Sequence, residues 1–217
     1  VYLGHFPGGF FVSRDGGQSW RDSSVSLGND GIFSLAQHPS DRATLFAGTY
    51  NGILKSTDGG ATWADSSSGL PSEQWPFTLA IDPDDPDVMY TTTKNGQNKG
   101  FCHRNDFCGV VMRSDDGGRS WERIMSGLHP ESEFYTLIID PRDRALLYLS
   151  TSRGVFASLD AGDRWWPMDS GLPTEHNEVR DNVADNLVLS PDGRHLVLGL
   201  VKHGAWRADI GALAGDP

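Results

Sequence analysis

The sequence predicts an all-β fold, a β-propeller of four-stranded antiparallel blades joined by acidic turns, with about 4.5 blades in the chain. Three observations carry that reading. The motif Ser-x-Asp-x-Gly followed by tryptophan occurs four times, as SRDGGQSW from Ser13, STDGGATW from Ser56, SDDGGRSW from Ser114 and SLDAGDRW from Ser158. A second phrase with a Pro-containing turn also occurs four times: SLAQHPSD from Ser34, TLAIDPDD from Thr78, TLIIDPRD from Thr136 and NLVLSPDG from Asn186. The motif aspartates, Asp15, Asp58, Asp116 and Asp160, stand 43, 58 and 44 residues apart, the spacing of one blade per repeat with a single insertion.

Each repeat reads in the same order. The Pro-turn phrase supplies an inner strand and the tight turn after it. Two short apolar runs joined through a glycine turn follow, as in LFAGTYNGILKS from Leu45 and LYLSTSRGVFAS from Leu147, and these are paired strands of a hairpin. The acidic box closes the next turn, and a short fourth strand begins at its tryptophan. In the box a short carboxylate accepts hydrogen bonds from turn amides and glycine supplies positive φ, while the indole buries a large flat surface. A β-sandwich would also use evenly spaced short strands, but nothing in that fold requires the same turn four times. The repeats run about 1–32, 33–76, 77–134, 135–182 and 183–217, one propeller, with the insertion of about 14 residues falling on Lys94 to Cys108. The fourth box has Ala161 for the first glycine and Arg164 where the others have a hydroxyl, so a looser turn is expected there. A fifth repeat appears in LVLGLVKHGAWRADIG from Leu196, but the box spacing is lost around Asp209. Strand counting starts at the second strand of one blade and ends after the third strand of another, so either a compact five-bladed ring closes with strands missing or, the favoured reading, this is part of a longer propeller whose unpaired edges are covered elsewhere. The chain begins at Val1, with no initiator methionine, n-region or h-region, so a removed segment of unknown content is expected before it.

Composition bounds the chemistry. A net charge of −11, from 18 basic and 29 acidic residues, repels phosphate backbones, so nucleic acid is not an expected partner. No apolar run approaches the roughly 18 residues that cross a bilayer, and no direct membrane insertion is expected. Glycine follows strands here without leading into helices, unlike a phosphate-binding loop. Cys102 and Cys108 suit a loop bridge closing a ring of about seven residues, worth about 2 kcal/mol on a chain-entropy argument, and a bridge implies an oxidising compartment. Two free thiols in a cytosolic loop are the alternative. A metal site built on Cys102, His103, Asp106 and Cys108 lacks a second ligand pair at zinc spacing, so neither metal nor cofactor is expected.

With these boxes and turns, the chain resembles the Asp-box, or bacterial neuraminidase repeat, propellers over essentially residues 1–210. That sialidase-like superfamily includes sialidases, tandem-propeller xyloglucan-cleaving endoglucanases, sortilin-type receptors and the photosystem II assembly factor. The resemblance implies that the boxes lie on the face opposite the ligand-binding end, which makes Asp15, Trp20, Asp58, Trp63, Asp116, Trp121, Asp160 and Trp165 structural. The family activities differ widely, so the fold licenses none of them.

Function is then expected on the loops at the other end, where binding residues concentrate on a rigid scaffold. One set joins second and third strands: His5 to Gly9, Thr49 to Gly52, Thr92 to Gly109, Ser152 to Gly154 and Lys202 to Gly204. The other links blades: Asp22 to Gly31, Asp65 to Phe77, Met125 to Tyr135 and Asp169 to Val183. Candidate binding residues there are Trp75, His103, His129, Arg153, His176 and Arg180. A sugar-binding reading uses Trp75 as a stacking platform and Arg180 with nearby carboxylates to grip hydroxyls or an acid. The plainer alternative is that Trp75 packs against a neighbouring blade and the charged groups are solvated. A glycoside hydrolase needs two separated carboxylates, for which Glu131, Glu175 and Asp181 lead, with Glu133 and Glu178 behind them. The Arg-Ile-Pro motif of sialidases is absent, which disfavours that activity. The expected function is a non-catalytic extracytoplasmic propeller presenting its loop face to a protein or glycan partner. A third reading is an assembly factor or accessory subunit of a larger complex, with a neighbouring chain or further blades completing the ring. The runner-up is a secreted polysaccharide hydrolase, closer to a xyloglucanase than to a sialidase.

Overall fold

The computed structural model describes residues 1–5, 9–27, 30–95, 108–168, 184–200 and 204–211, and among them there is no α-helix. The strands form five antiparallel sheets. The first is β1 (Tyr2–Gly4), β2 (Phe10–Val12) and β3 (Arg21–Asp22), and the second is β4 (Ile32–Gln37), β5 (Leu45–Thr49), β6 (Gly52–Ser56) and β7 (Ala64–Asp65). The third is β8 (Gln74–Ile81), β9 (Met89–Asn95), β10 (Val111–Ser114) and β11 (Glu122–Arg123). The fourth is β12 (Phe134–Ile139), β13 (Leu147–Thr151), β14 (Gly154–Ser158) and β15 (Trp166–Pro167), and the fifth is β16 (Ala184–Leu189), β17 (His195–Leu200) and β18 (Gly204–Asp209). Strands within each sheet neighbour one another in chain order, as in an up-and-down propeller blade.

Two compact units divide the chain, Val1–Gln97 with Met112–Glu122, and Asn98–Val111 with Arg123–Pro217. In the first, Phe10, Leu27, Ile32 and Leu45 are buried together, with Tyr2, Val12, Leu35, Leu54 and Trp63 packed on them. In the second, Leu146, Tyr148, Val155, Ala157, Leu187, Leu196, Leu198 and Ile210 form the core, flanked by Met168, Leu189 and Trp206. The strands β5 and β13 are buried at every residue, which explains why LFAGT and LYLST read as continuous apolar and small runs instead of alternating with polar residues.

The boxes share one geometry. In the second, Ser56 Oγ donates to Asp58 Oδ1 at 2.8 Å and accepts from the Gly60 amide at 2.8 Å, while Thr62 donates its amide to Oδ1 at 2.9 Å and its hydroxyl to Oδ2 at 2.6 Å. Asp15 and Asp116 repeat this with Ser13 and Ser19, and with Ser114 and Ser120. These donors favour the ionised carboxylate: the Thr62 hydroxyl and amide, then Ser56, hold Asp58 down to about 2, and Ser120 holds Asp116 to about 2. Ser19 and Ser13 lower Asp15 further. In the fourth box Arg164 gives Asp160 its amide at 2.9 Å but has no hydroxyl to add, and Ala161 adopts φ 57° where the other boxes use glycine. The guanidinium of Arg164 instead lies 4.2 Å over the ring of Trp166.

Box tryptophans join consecutive blades. Trp63 meets Phe10 edge-on at 5.3 Å. Trp121 donates its indole N–H to Ser66 O at 2.9 Å, and Trp165 to Ile124 O at 3.0 Å. Each receiving segment then turns at a glycine, Gly69 or Gly127, with φ near +90° (88° and 90°), packed so closely that a Cβ would strike the carbonyl oxygen of Trp121 or Trp165.

Candidate functional site

Strand β6 runs from Gly52 to the box serine Ser56, so its two ends lie about 13 Å apart. At the Gly52 end an open cavity of about 500 Å³ is lined by Tyr50, Asn51, Gly52, Ser67, Leu70, Pro71, Ser72, Glu73, Gln74 and Trp75. The residues come from the β5–β6 turn and the linker between the second and third blades, two of the loops expected to carry function.

Two of the lining rings, Tyr50 and Trp75, belong to an aromatic cluster. Trp75 stacks on Phe33 with ring centres 5.4 Å apart and planes 12° from parallel. Tyr50 meets both edge-on, at 4.9 Å from Phe33 and 4.8 Å from Trp75. Phe77 lies 6.3 Å from Phe33, and Lys94 Nζ sits 3.9 Å from the Phe77 ring centre. The innermost strands bring these rings together through one device. Pairing of β4 with β5 skips Phe33, between Ile32 and Ser34, and pairing of β8 with β9 skips Phe77, between Pro76 and Thr78. A bulge takes its extra residue out of the ladder and re-aims the side chain.

Polar groups hold the rim. Asn51 donates to both oxygens of Asp30 at 2.7 and 2.8 Å, and its amide donates to Thr49 Oγ1 at 3.2 Å. Gln74 is buried and accepts from Thr93 Oγ1 at 2.6 Å. Glu73 is exposed and adopts φ 63°, a conformation costly for a side-chain-bearing residue and concentrated at binding sites. The site therefore offers π faces beside hydroxyl, amide and carboxylate groups.

In the second unit the expected candidates His129, Glu131 and Arg153 come together. Arg153 pairs with Glu131 at 3.6 Å, and the Glu131 amide donates to His129 Nδ1 at 3.2 Å. Beside them, Tyr135 donates to Glu133 at 2.9 Å, and the Glu133 amide donates to Ser152 Oγ at 3.0 Å. The carboxylates of Glu131 and Glu133 thus have partners within this loop cluster. Cys102, His103, Glu175, His176, Arg180 and Asp181 lie outside the described residues, as does Glu178; Cys108 is buried. Sequence reasoning singled out Trp75 but not Phe33, Tyr50, Phe77 or Lys94. The available signal was an aromatic residue directly before the Ser/Thr-Leu phrase in three repeats, Phe33, Phe77 and Tyr135.

Residues 11–22 match the family model for the BNR/Asp-box repeat. Over 104 residues the chain is 33% identical to the xyloglucanase Xgh74A of Acetivibrio thermocellus, covering 43% of this chain and 12% of that protein. It spans only about an eighth of that relative. The GH74 xyloglucanase structure from Xanthomonas campestris superposes with a TM-score of 0.75 at 18% identity over 97% of this chain and 35% of that one. YCF48 bound to D1 peptide superposes with a TM-score of 0.62 at 17% identity over 96% of this chain and 61% of that one. With the box geometry and the five antiparallel sheets, these similarities establish the fold: the chain is a β-propeller whose turns carry the BNR/Asp-box repeat.

Proposed function

We propose that this chain is a non-catalytic, extracytoplasmic binding propeller that presents the loop end of its blades to a glycan or protein partner, with the Tyr50–Trp75 cavity as the contact centre. The observation that carries the reading is the pair of cavity-lining rings, Tyr50 and Trp75, backed by Phe33 at its bulge and set beside the strained, exposed Glu73, at the strand end away from the box. Aromatic faces pack against the C–H face of a sugar ring or an apolar or cationic side chain, and the neighbouring amide and carboxylate groups supply orientation. One face of the Trp75 ring lies on Phe33. Its position on the cavity wall supports a stacking role toward a ligand. A Cys102–Cys108 bridge bracing the insertion, with the oxidising compartment it implies, belongs to this proposal.

A second reading, secreted hydrolysis of a polysaccharide, draws on the similarity to xyloglucanases. It assigns the acid and base to Glu131, Glu175 or Asp181. One experiment separates the two. The chain is screened on a glycan array and incubated with xyloglucan while new reducing ends are counted. Binding that falls at least tenfold in Trp75→Ala, without release of reducing ends, supports the first reading. Release that disappears in Glu131→Gln, Glu175→Gln or Asp181→Asn overturns it.

A further inference from the structure

The fourth box carries apolar side chains on its outer surface where the other three boxes are polar or small. Its second residue is Leu159, against Arg14, Thr57 and Asp115, and the residue after its tryptophan is Trp166, against Arg21, Ala64 and Glu122. Both positions are exposed in all four blades, so the exposure belongs to the repeat itself. Leu159 is 57% and Trp166 48% exposed. Trp166 pairs across the strands with Ala157, which stands two residues before Leu159. In the third blade the side chains at the places of Ala157 and Leu159 are Arg113 and Asp115, in contact at 2.6 Å. Leu159 and Trp166 therefore flank the small side chain of Ala157 at the Ser158 end of β14.

Two local costs accompany this surface. Ala161 holds φ 57° where glycine would be unstrained, and Arg164 withholds from Asp160 the hydroxyl bond that Ser19, Thr62 and Ser120 give their aspartates. A box that gives up turn stability twice while exposing a leucine and a tryptophan breaks the rules of its own repeat, the pattern of a functional surface. The guanidinium of Arg164 lies 4.2 Å over the Trp166 ring. It makes no hydrogen bond or ion pair with any described residue, Asp160 and Asp163 of the same box included; only the Arg164 backbone amide is engaged, by Asp160. Stacking covers one face of the guanidinium and leaves its in-plane N–H groups, the fork that grips a carboxylate by two bonds.

We propose that Leu159, Arg164 and Trp166 form a docking surface for a short acidic segment of a partner protein. An Asp or Glu carboxylate of that segment pairs with Arg164, and an adjoining apolar side chain lies over Ala157 between Leu159 and Trp166. Charge complementarity names the carboxylate, and the exposed leucine and indole name its neighbour. Strand addition at this edge is disfavoured. β15 is the outermost strand of its sheet, the Met168 amide points inward to Val155 O, and the outward nitrogen is that of Pro167, which has no hydrogen to donate. Side chains must then carry the recognition. Size selects a segment over a second copy of the chain, because three partly exposed side chains present roughly 300 Å², against about 800 Å² per partner in a stable dimer.

The probe is a set of dye-labelled, acetylated hexapeptides that pair Asp or Glu with Leu, Phe or Trp at each spacing, beside the same peptides carrying Asn or Gln. Fluorescence anisotropy reads affinity for the 217-residue chain, and the NMR resonance of the Trp166 indole N–H reads location. An acidic peptide should shift that resonance saturably and bind at least tenfold more tightly than its amide counterpart. Leu159→Thr and Trp166→Glu install residues that the second and third blades carry there, and each should abolish binding with the Tm within about 1 °C. Arg164→Ser returns to Asp160 the missing hydroxyl, so it should raise the Tm by about 2 °C while lowering affinity at least tenfold. A purely structural arginine cannot move stability and binding in opposite directions. Equal affinity for acidic and amide peptides overturns the proposal, as does a set in which no peptide binds saturably. A lower Tm in Arg164→Ser also overturns it, because the Arg164–Trp166 stack would then be the box's substitute for the hydroxyl. Self-association that is lost in Trp166→Glu does so too, since a second copy would be the occupant.

Discussion

The indole nitrogen of Trp165 donates to the backbone oxygen of Ile124 at 3.0 Å, and the amide of the same residue donates to Ser126 O at 2.9 Å. One residue is thereby tied twice to the strand end of the preceding repeat while its ring is 1% exposed. Trp165→Ala should cost about 4 kcal/mol from the cavity left by the indole, and Trp165→Phe should retain much of the burial and lose roughly 1–2 kcal/mol with the N–H bond. Urea denaturation followed by circular dichroism reads both. Equal losses for the two substitutions would contradict the part assigned to the N–H.

Acid should loosen the boxes in a defined window. Asp58 and Asp116 titrate at about 2 in the fold, held down first by the Thr62 and Ser120 hydroxyls, against 3.8 for the free side chain. Because the folded value is the lower one, the unfolded chain binds more protons, and this stabilisation is complete above about pH 4 and is lost as pH falls to about 2. A melting-temperature series from pH 6 to pH 2 should decline below pH 4. Asp58→Asn should melt lower at pH 6 and show a shallower decline, and an unchanged slope would remove Asp58 from the explanation.

Gly127 takes φ 90° where a Cβ would meet the Trp165 carbonyl. Gly127→Ala should lose at least about 2 kcal/mol, since the left-handed conformation costs a side-chain-bearing residue about 1 kcal/mol before the clash is counted. Gly154→Ala is the comparison: it shares a positive φ of 110° but has nothing within 4 Å of the added carbon. Thermal unfolding should place it well above Gly127→Ala.

Asp140 is fully buried and accepts from Arg142 at 2.9 Å and from Tyr148 OH at 3.1 Å. Burial pushes its carboxyl up, but the Arg142 bonds and charge outweigh this and hold it below the ordinary range, while the same burial and the Asp140 charge push the Tyr148 phenol up. Asp140→Asn removes the charge that compensates Arg142 and should cost about 3 kcal/mol, measured by chemical denaturation at pH 7. Tyr148→Phe should cost less, because the ionic bonds remain.

The architecture was legible because its signals are local and repeated. Ser56, Asp58, Gly60 and Thr62 bond to one another within the box, so their spacing in sequence is their spacing in space. The departure of the fourth box was legible too: Arg164 leaves Asp160 without the hydroxyl that Ser19, Thr62 and Ser120 supply. The aromatic cluster was hidden for the converse reason. Phe33, Tyr50 and Trp75 come from three strands or turns, and what assembles them is a bulge at Phe33, a register slip that depends on the partner strand and leaves no turn residue as its mark. Glu73 was equally silent, since its positive φ leaves no mark in the sequence.

The indole bonds of Trp121 and Trp165 connect residues 55 and 41 positions apart, while every box closes over two to four positions. The two classes carry different loop-closure entropies, so box turns can form early and independently, whereas the couplings between blades must wait for whole hairpins to meet. Such a chain behaves as a one-dimensional array in which each blade is stabilised by its neighbours. Within a blade the short fourth strand is the least buried, both residues of β7 being exposed, so it should fray ahead of the strands it pairs with. Amide exchange should therefore be faster at Ala64–Asp65 than at β5, where Leu45 to Thr49 are all buried.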